Sequence, residues 1–160
     1  MVAIGDVDEA NSAIGMAIAA LDEASPLGPK LRMIQNEMFD LGADIATPFG
    51  TDFETHALRI VAPQVLRLEQ EIDAMNADLP PLTSFILPSG SAAIASLHLA
   101  RAIVRRAERA SVALAAEEQV SADALAYLNR LSDHLFVAAR LTAAAEEGDV
   151  LWQPGATRNG

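Results

Sequence analysis

The chain has 160 residues, enough for one domain around a single core. Its 22 acidic and 11 basic residues give a formal net charge of −11, which argues against non-specific binding to DNA, RNA or an anionic membrane. It is 51% hydrophobic with much alanine, only 4% aromatic, and nearly free of alternating β-branched runs, so the composition predicts an all-α fold.

A first helix is expected from near Asp6 to Ala24, with Asp6, Asp8 and Glu9 in its first turn, where negative charge suits the helix dipole. Ile14, Ala17, Ile18 and Leu21 carry its apolar stripe, and Ser25-Pro26-Leu27-Gly28-Pro29 ends it. A second helix covers about Lys30 to Ala46, with Leu31, Ile34, Met38, Leu41 and Ile45 at helical spacing. Gly42 inside it implies close approach by a neighbouring helix. Residues 51–62 carry no clear pattern. Pro63 fits a helix start better than a helix interior, so a third helix runs from Pro63 to Asn76, with Val65, Leu68 and Ile72 inward and Glu69, Glu71 and Asp73 toward water.

The chain turns on the stretch that follows. Phe85-Ile86-Leu87 is an apolar approach ending at Pro88, and Ser89 or Ser91 can cap a fourth helix, with Gly90 allowing a tight entry. Nothing breaks that helix before about Leu114. Leu99, Ala100, Ile103, Val104, Ala107 and Leu114 form one apolar face, and Arg101, Arg105, Glu108 and Arg109 fall together on another. Four of the chain's 11 basic residues lie between Arg101 and Arg109. Stacked guanidiniums repel one another unless an anion sits between them, and their planar forks suit phosphate oxygens. The stripe is either a solvated face with Glu108 as internal counter-ion or a cradle for a polyphosphate. A fifth helix runs from Ser121 to Glu147, with Leu125, Leu128, Leu131, Leu135 and Ala138 inward and Asn129, Asp133 and Arg140 on a polar line. Its tail holds the only tryptophan, Trp152. Five helices joined by short turns predict a single compact five-helix antiparallel bundle over 1–160.

Several chemistries are excluded or left without support. There is no cysteine, hence no disulfide, thiolate metal site or Cys nucleophile, which fits a reducing compartment. The start of the chain lacks the basic and apolar regions of a signal peptide, and no run of about eighteen apolar residues could span a membrane, so a cytoplasmic location is expected. None of His56, His98 and His134 lies three residues after a glutamate, as a carboxylate-bridged di-metal bundle requires, and no metal ligands are assigned. Neither a Gly-x-Ser-x-Gly elbow nor a P-loop occurs. His98 and His134 are expected to be satisfied, partly buried helix residues.

Six segments in order carry a resemblance that spans nearly the whole chain. They are Asp8-Glu9-Ala10-Asn11-Ser12, Phe39-Asp40-Leu41-Gly42-Ala43-Asp44, Phe85-Ile86-Leu87-Pro88, Leu97-His98-Leu99-Ala100-Arg101, Arg105-Arg106-Ala107-Glu108-Arg109 and Tyr127-Leu128-Asn129-Arg130-Leu131-Ser132-Asp133. Together they resemble the PduO-type ATP:cob(I)alamin adenosyltransferases.

The resemblance implies a homotrimer with sites at subunit interfaces, ATP along the arginine helix and cobalamin in an adjoining apolar pocket. The implied reaction transfers the 5′-deoxyadenosyl group of ATP to cobalt and releases triphosphate, with Mg²⁺ assisting. Arg105, Arg106 and Arg109 would then hold the triphosphate, while Glu108 would orient them or reach the nucleotide or its metal. Arg101 would pair with Asp8 of the partner subunit, and Asn129 would contact ATP. Phe85 would press on the lower corrin face and keep the dimethylbenzimidazole tail off cobalt. A reductase and an adenosylcobalamin-dependent acceptor enzyme would be partners. A bundle that holds a corrinoid or polyphosphate without turnover is the rival expectation. The family pattern also opens with a Thr-x-Thr-Gly-Asp-x-Gly loop around the phosphates, which this sequence lacks, and it has Ser89, Ser91 and Ala10 where Gly, Thr and Leu are usual.

Overall fold

A computed structural model describes residues 1–158. Five helices follow one another: α1 Val2–Ala20, α2 Leu27–Ala46, α3 Ala62–Asn76, α4 Ala92–Ala115 and α5 Ala122–Ala144, with a 3₁₀ turn at Glu54–His56. Among the described residues the only extended pairing is one antiparallel bridge, Ile86 with Leu151. The all-α, five-helix expectation holds.

Successive helices alternate in direction. Met1–Ala3 share a cavity with the end of α4, and the start of α1 faces the end of α2, so α1 opposes both. Ser91, at the start of α4, donates its hydroxyl to Glu146 just beyond α5. Glu69 meets Arg130 and Glu71 meets His134, so α3 and α5 run the same way. The core is the shared interior of Ile14, Ala17, Leu31, Ile34, Met38, Leu41, Leu68, Leu97, Val104 and the fully buried row Tyr127, Leu128, Leu131, Leu135 of α5. Alanines 10, 13, 17, 100 and 107 are buried on α1 and α4. Side chains that small let the two helices approach closely and gain dispersion contacts along their length.

The helix ends move, each for a local reason. α1 begins at Val2, so Asp6, Asp8 and Glu9 lie within it and not in its first turn. It stops at Ala20 because Leu21 turns extended and the Asp22 carboxylate captures the Ala24 N–H at 2.8 Å. α2 starts at Leu27, ahead of Lys30. α5 ends at Ala144, where the chain leaves through Gly148 at φ 89°. Gly42 has open space where a Cβ would sit and marks no close helix approach; that role falls to Gly15, whose Cβ would lie 3.1 Å from Gln35. Leu99 is half exposed, and the buried face of α4 is set instead by Ile94, Leu97, His98, Ala100, Val104, Ala107 and Ser111.

Two polar seams fix the bundle. Asn11 and Gln35 exchange amide-to-carbonyl hydrogen bonds at 3.1 and 3.2 Å across α1 and α2. Between α2, α3 and α5, Arg67 reaches Glu37 at 2.5 Å and Glu71 at 2.7 Å, Tyr127 donates to Glu37 at 2.6 Å, and His134 Nε2 lies 2.7 Å from Glu71. Glu71 is therefore not a water-facing residue. Burial pushes its carboxyl up, but hydrogen bonds from His134 and Arg67 outweigh that and hold its pKa at about 2.

Candidate functional site

The sequence around Gly90 sets where α4 begins. Ser91 is the N-cap, its hydroxyl accepting from Ile94 N at 3.5 Å, whereas Ser89 makes no cap. Gly90 has φ 124°, and a Cβ there would lie 2.9 Å from Ile94, so the tight entry needs glycine. This start fixes the phase of every side chain downstream.

That phase turns the arginines two ways. Arg105 and Arg109 are exposed on one face, and Arg109 donates to the Arg105 carbonyl at 3.0 Å. Glu108 is partly buried beside them, 3.9 Å from Arg105, and accepts from Asn129 Nδ2 of α5 at 2.8 Å. Arg130 in turn donates to the Asn129 side-chain Oδ1 at 2.9 Å and is tied to Glu69 at 2.9 Å and Asp133 at 3.2 Å. Glu108 and Asn129 thus form a hydrogen-bonded pair with Arg105 at ion-pair distance, braced from α3 through Arg130, the member that the motif left without a role. Its position directly after Asn129 was the available signal.

Arg106 points elsewhere. It pairs with Asp6 at 3.4 Å and with Glu9, both on α1. The Arg106 hydrogen bond holds the Glu9 carboxyl below its ordinary value. Helical spacing left Arg106 off the stripe of Arg101, Arg105, Glu108 and Arg109, and the structure agrees: one residue along a helix is about 100° of rotation, and that step carries Arg106, which the resemblance would give to the triphosphate, onto the α1 seam.

Arg101 and Asp8 are not joined by an ion pair within the chain. Asp8 is exposed on a groove between α1 and α2, lined also by Ile4, Phe39 and Gly42. Arg101 is half-buried on the opposite flank of α4, its guanidinium 6.0 Å from the Phe136 ring. There it lines a cavity of about 490 Å³ with Leu82, Thr83, Ser84, Phe85, Ile86, His98 and Phe136.

Phe85 forms the lip of that cavity. Its ring is 76% exposed, so it is no core residue. The segment that carries it is pinned to the tail beyond α5: Trp152 N donates to Phe85 O at 2.7 Å, Leu87 N to Val150 O at 2.8 Å, and Ser84 Oγ to Trp152 O at 2.8 Å. Trp152 lies beside the ring, centroids 6.0 Å apart. Arg140, at 3.0 Å from Asp149 and donating to Pro80 O at 2.7 Å, ties both strands of this pairing to α5. Trp152 is the second residue the sequence reading passed over.

A cavity of about 810 Å³ lies at the α1–α2 turn and holds none of the site residues picked from sequence. Among the described residues no cluster of three or more His, Asp or Glu side chains is arranged to hold a metal ion, and no helix is long and apolar enough to cross a membrane.

An all-α bundle that sets a guanidinium-and-carboxylate face one helical turn from an aromatic-lipped cavity is the class of protein that the fold and these residues define. Comparison with known proteins gives that class its family. The sequence pattern described as Cobalamin adenosyltransferase matches residues 1–142, and the chain belongs to that family. It is 49% identical over 160 residues to the corrinoid adenosyltransferase of Mycobacterium tuberculosis, covering 99% of this chain and 82% of that one. The human corrinoid adenosyltransferase is 43% identical over 150 residues, covering 92% and 60%. Among solved structures, a variant of the PduO-type ATP:corrinoid adenosyltransferase from Lactobacillus reuteri, complexed with cobalamin and ATP, superposes with a TM-score of 0.85 at 39% identity, covering 94% of this chain and 84% of that one. Another variant of that enzyme, complexed with ATP, gives 0.86 at 37%, covering 95% and 86%.

Proposed function

We propose a division of labour by which this chain performs its family's reaction, transfer of the 5′-deoxyadenosyl group of ATP to cob(I)alamin with release of triphosphate. The enzyme is an ATP:corrinoid adenosyltransferase. The observation that carries the assignment of roles is the Arg105–Glu108–Asn129 set lying one turn of α4 from the cavity lined by Phe85 and Arg101.

The nucleophile is the substrate's own Co(I), so the protein supplies no general base. Its task is to align two bound reactants and stabilise the departing charge. Arg105 and Arg109 face the triphosphate, Glu108 holds Arg105 in register, and Asn129 contacts the nucleotide. Arg101 and Arg105 are about 6 Å apart along the axis, from a rise of 1.5 Å per residue. A triphosphate at the second and a corrin edge at the first would be neighbours on one face of the helix.

The cavity is too small to enclose a corrin and takes one edge of it. The exposed Phe85 ring then covers the lower face, excluding the dimethylbenzimidazole nitrogen. Losing that electron donor eases reduction of Co(II) to Co(I). Asp8 completes the site from the partner subunit by pairing with Arg101, which makes the functional unit a homotrimer. Mg²⁺ fits as a companion of the phosphates, since it ordinarily takes one or two carboxylates with waters and phosphate oxygens, and Glu108 is the carboxylate beside the arginines. A cytoplasmic setting, a reductase supplying the electron and an acceptor enzyme for adenosylcobalamin complete the reading.

Incubation with ATP, Mg²⁺ and chemically reduced cobalamin, followed optically, tests it. Loss of the Co(I) spectrum with appearance of adenosylcobalamin is expected. Binding of cobalamin without conversion would make the chain a carrier and overturn the enzymatic roles.

A further inference from the structure

Phe85 has little of its own to hold it. Its ring is exposed, it stands outside every helix, and its aromatic neighbour, Trp152, is itself half exposed. A ring without core packing takes its place from the backbone that carries it, and such a segment is held by its hydrogen bonds to the rest of the fold. Among the described residues, every hydrogen bond that 80–87 makes to a separate segment goes to α5 or to the tail beyond it. Ser84 Oγ donates to Trp152 O, Trp152 N to Phe85 O and Leu87 N to Val150 O. The Pro80 carbonyl accepts from Arg140 of α5 at 2.7 Å.

The end of α5 places the tail. Gly148 turns the chain at φ 89°, its N–H donating to Ala143 O at 2.8 Å. Asp149 follows at once and accepts from Arg140 Nε at 3.0 Å. One guanidinium therefore grips the segment before Phe85 through Pro80 and the segment across from it through Asp149. Arg140 is 6% exposed, so water competes little for either bond, and the planar fork fixes the angle between its two partners. It lies one turn along α5 from Phe136, which lines the same cavity as residues 82–86.

We propose that Arg140 is a positioning residue for adenosyl transfer, clasping Pro80 and Asp149 so that Phe85 stays where it excludes the dimethylbenzimidazole nitrogen from cobalt. The clasp rests on the reading that Phe85 covers the lower corrin face. Arg140 touches neither reactant and acts through the ring. Releasing it leaves ATP bound as before and readmits the nitrogen, so the cost falls on cobalt's coordination and on kcat. Because Asp149 is half of the grip, the tail beyond α5 becomes part of the corrinoid site.

The test is a double-mutant cycle on wild type, Phe85→Ala, Arg140→Gln and the double variant. It reads the absorption spectrum of Co(II) cobalamin in the presence of ATP, the ATP affinity, and turnover started from Co(II) cobalamin with a chemical reductant. Arg140→Gln lowers the base-off fraction by at least about half and kcat by at least about tenfold, with ATP affinity within about twofold of wild type. Arg140→Lys keeps the charge and a donor for either partner, and recovers part of the loss. In the Phe85→Ala background, Arg140→Gln lowers the remaining kcat by less than about twofold, because the ring it positions is gone. The clasp is overturned if Arg140→Gln keeps the wild-type base-off fraction. It is equally overturned if that substitution lowers kcat by the same factor with and without Phe85, or weakens ATP in step, the marks of general loosening. Should Arg140→Gln fail to fold, Asp149→Asn on the tail takes its place in the same cycle and decides. A wild-type spectrum from Phe85→Ala sinks the lower-face reading itself, whereas an altered Phe85→Ala spectrum beside an unaltered Arg140→Gln one sinks only the clasp.

Discussion

Arg105 and Arg106 are neighbours in sequence and do different work. Arg105 is half exposed, with only Glu108 near it at 3.9 Å, so its removal takes little from the fold. A preorganised hydrogen-bond donor to the developing charge contributes about 2.7–4 kcal/mol in the transition state. Arg105→Ala should therefore lower kcat/KM for ATP by about 10²–10³-fold while the melting temperature stays within a few degrees. Wild-type turnover in that variant removes Arg105 from the site. Arg106→Ala should behave in the opposite sense: ATP affinity changes less than about tenfold, while the α1–α4 seam loses its ties to Asp6 and Glu9. Thermal unfolding set beside ATP titration separates the two variants. The motif named both arginines without distinguishing them. Which face each takes was legible only as helical phase, and the phase is set by the cap at Ser91 and the turn at Gly90.

At the scale of elements, the helices were legible because apolar residues recur at helical spacing, and Leu31, Ile34, Met38 and Leu41 are buried as that spacing requires. The ends were less so, since competing side-chain bonds such as Asp22 to Ala24 stop a helix without disturbing its periodicity. Least legible was the pairing of 85–87 with 150–152, a single bridge between segments far apart in sequence that sets Trp152 beside Phe85. Phe85→Ala should leave ATP binding intact and diminish the spectrum of base-off Co(II) cobalamin; an unchanged spectrum would count against its place on the lower face. The α3–α5 seam makes a prediction in pH. Glu71 has a folded pKa of about 2 against an ordinary 4.5, so the unfolded chain binds the extra proton between those values. Its contribution is complete above about pH 5 and is lost as pH falls toward 2, amounting to about 1–3 kcal/mol after allowance for partial solvent screening. Glu71→Gln should be less stable at pH 7 and lose less further stability between pH 5 and pH 2. Melting curves across that range check it, and parallel declines in the two proteins would exclude Glu71 as the group responsible.

At the scale of the molecule, the residues assigned to one reaction lie on separate flanks of the bundle. Asp8 opens onto the α1–α2 groove, whereas Arg101 and Arg105 belong to the far flank of α4, and no ion pair joins Asp8 to Arg101 within the chain. One copy therefore cannot bring Asp8 to the arginines. In the proposed homotrimer each α4 flank would meet the α1–α2 groove of the next copy. This geometry predicts complementation between inactive chains. Asp8→Ala keeps its arginine face, and Arg105→Ala keeps its Asp8 groove. When the two variants are refolded together in equal amounts, random assembly places an intact arginine face against an intact groove at about one interface in four. Adenosyl transfer should return to about a quarter of the wild-type rate, although each variant alone is nearly inactive. Adding an excess of the double variant, Asp8→Ala with Arg105→Ala, before refolding should dilute that recovery away. If the mixed assembly is trimeric and stays as inactive as its parents, Asp8 and the arginines do not meet across the interface.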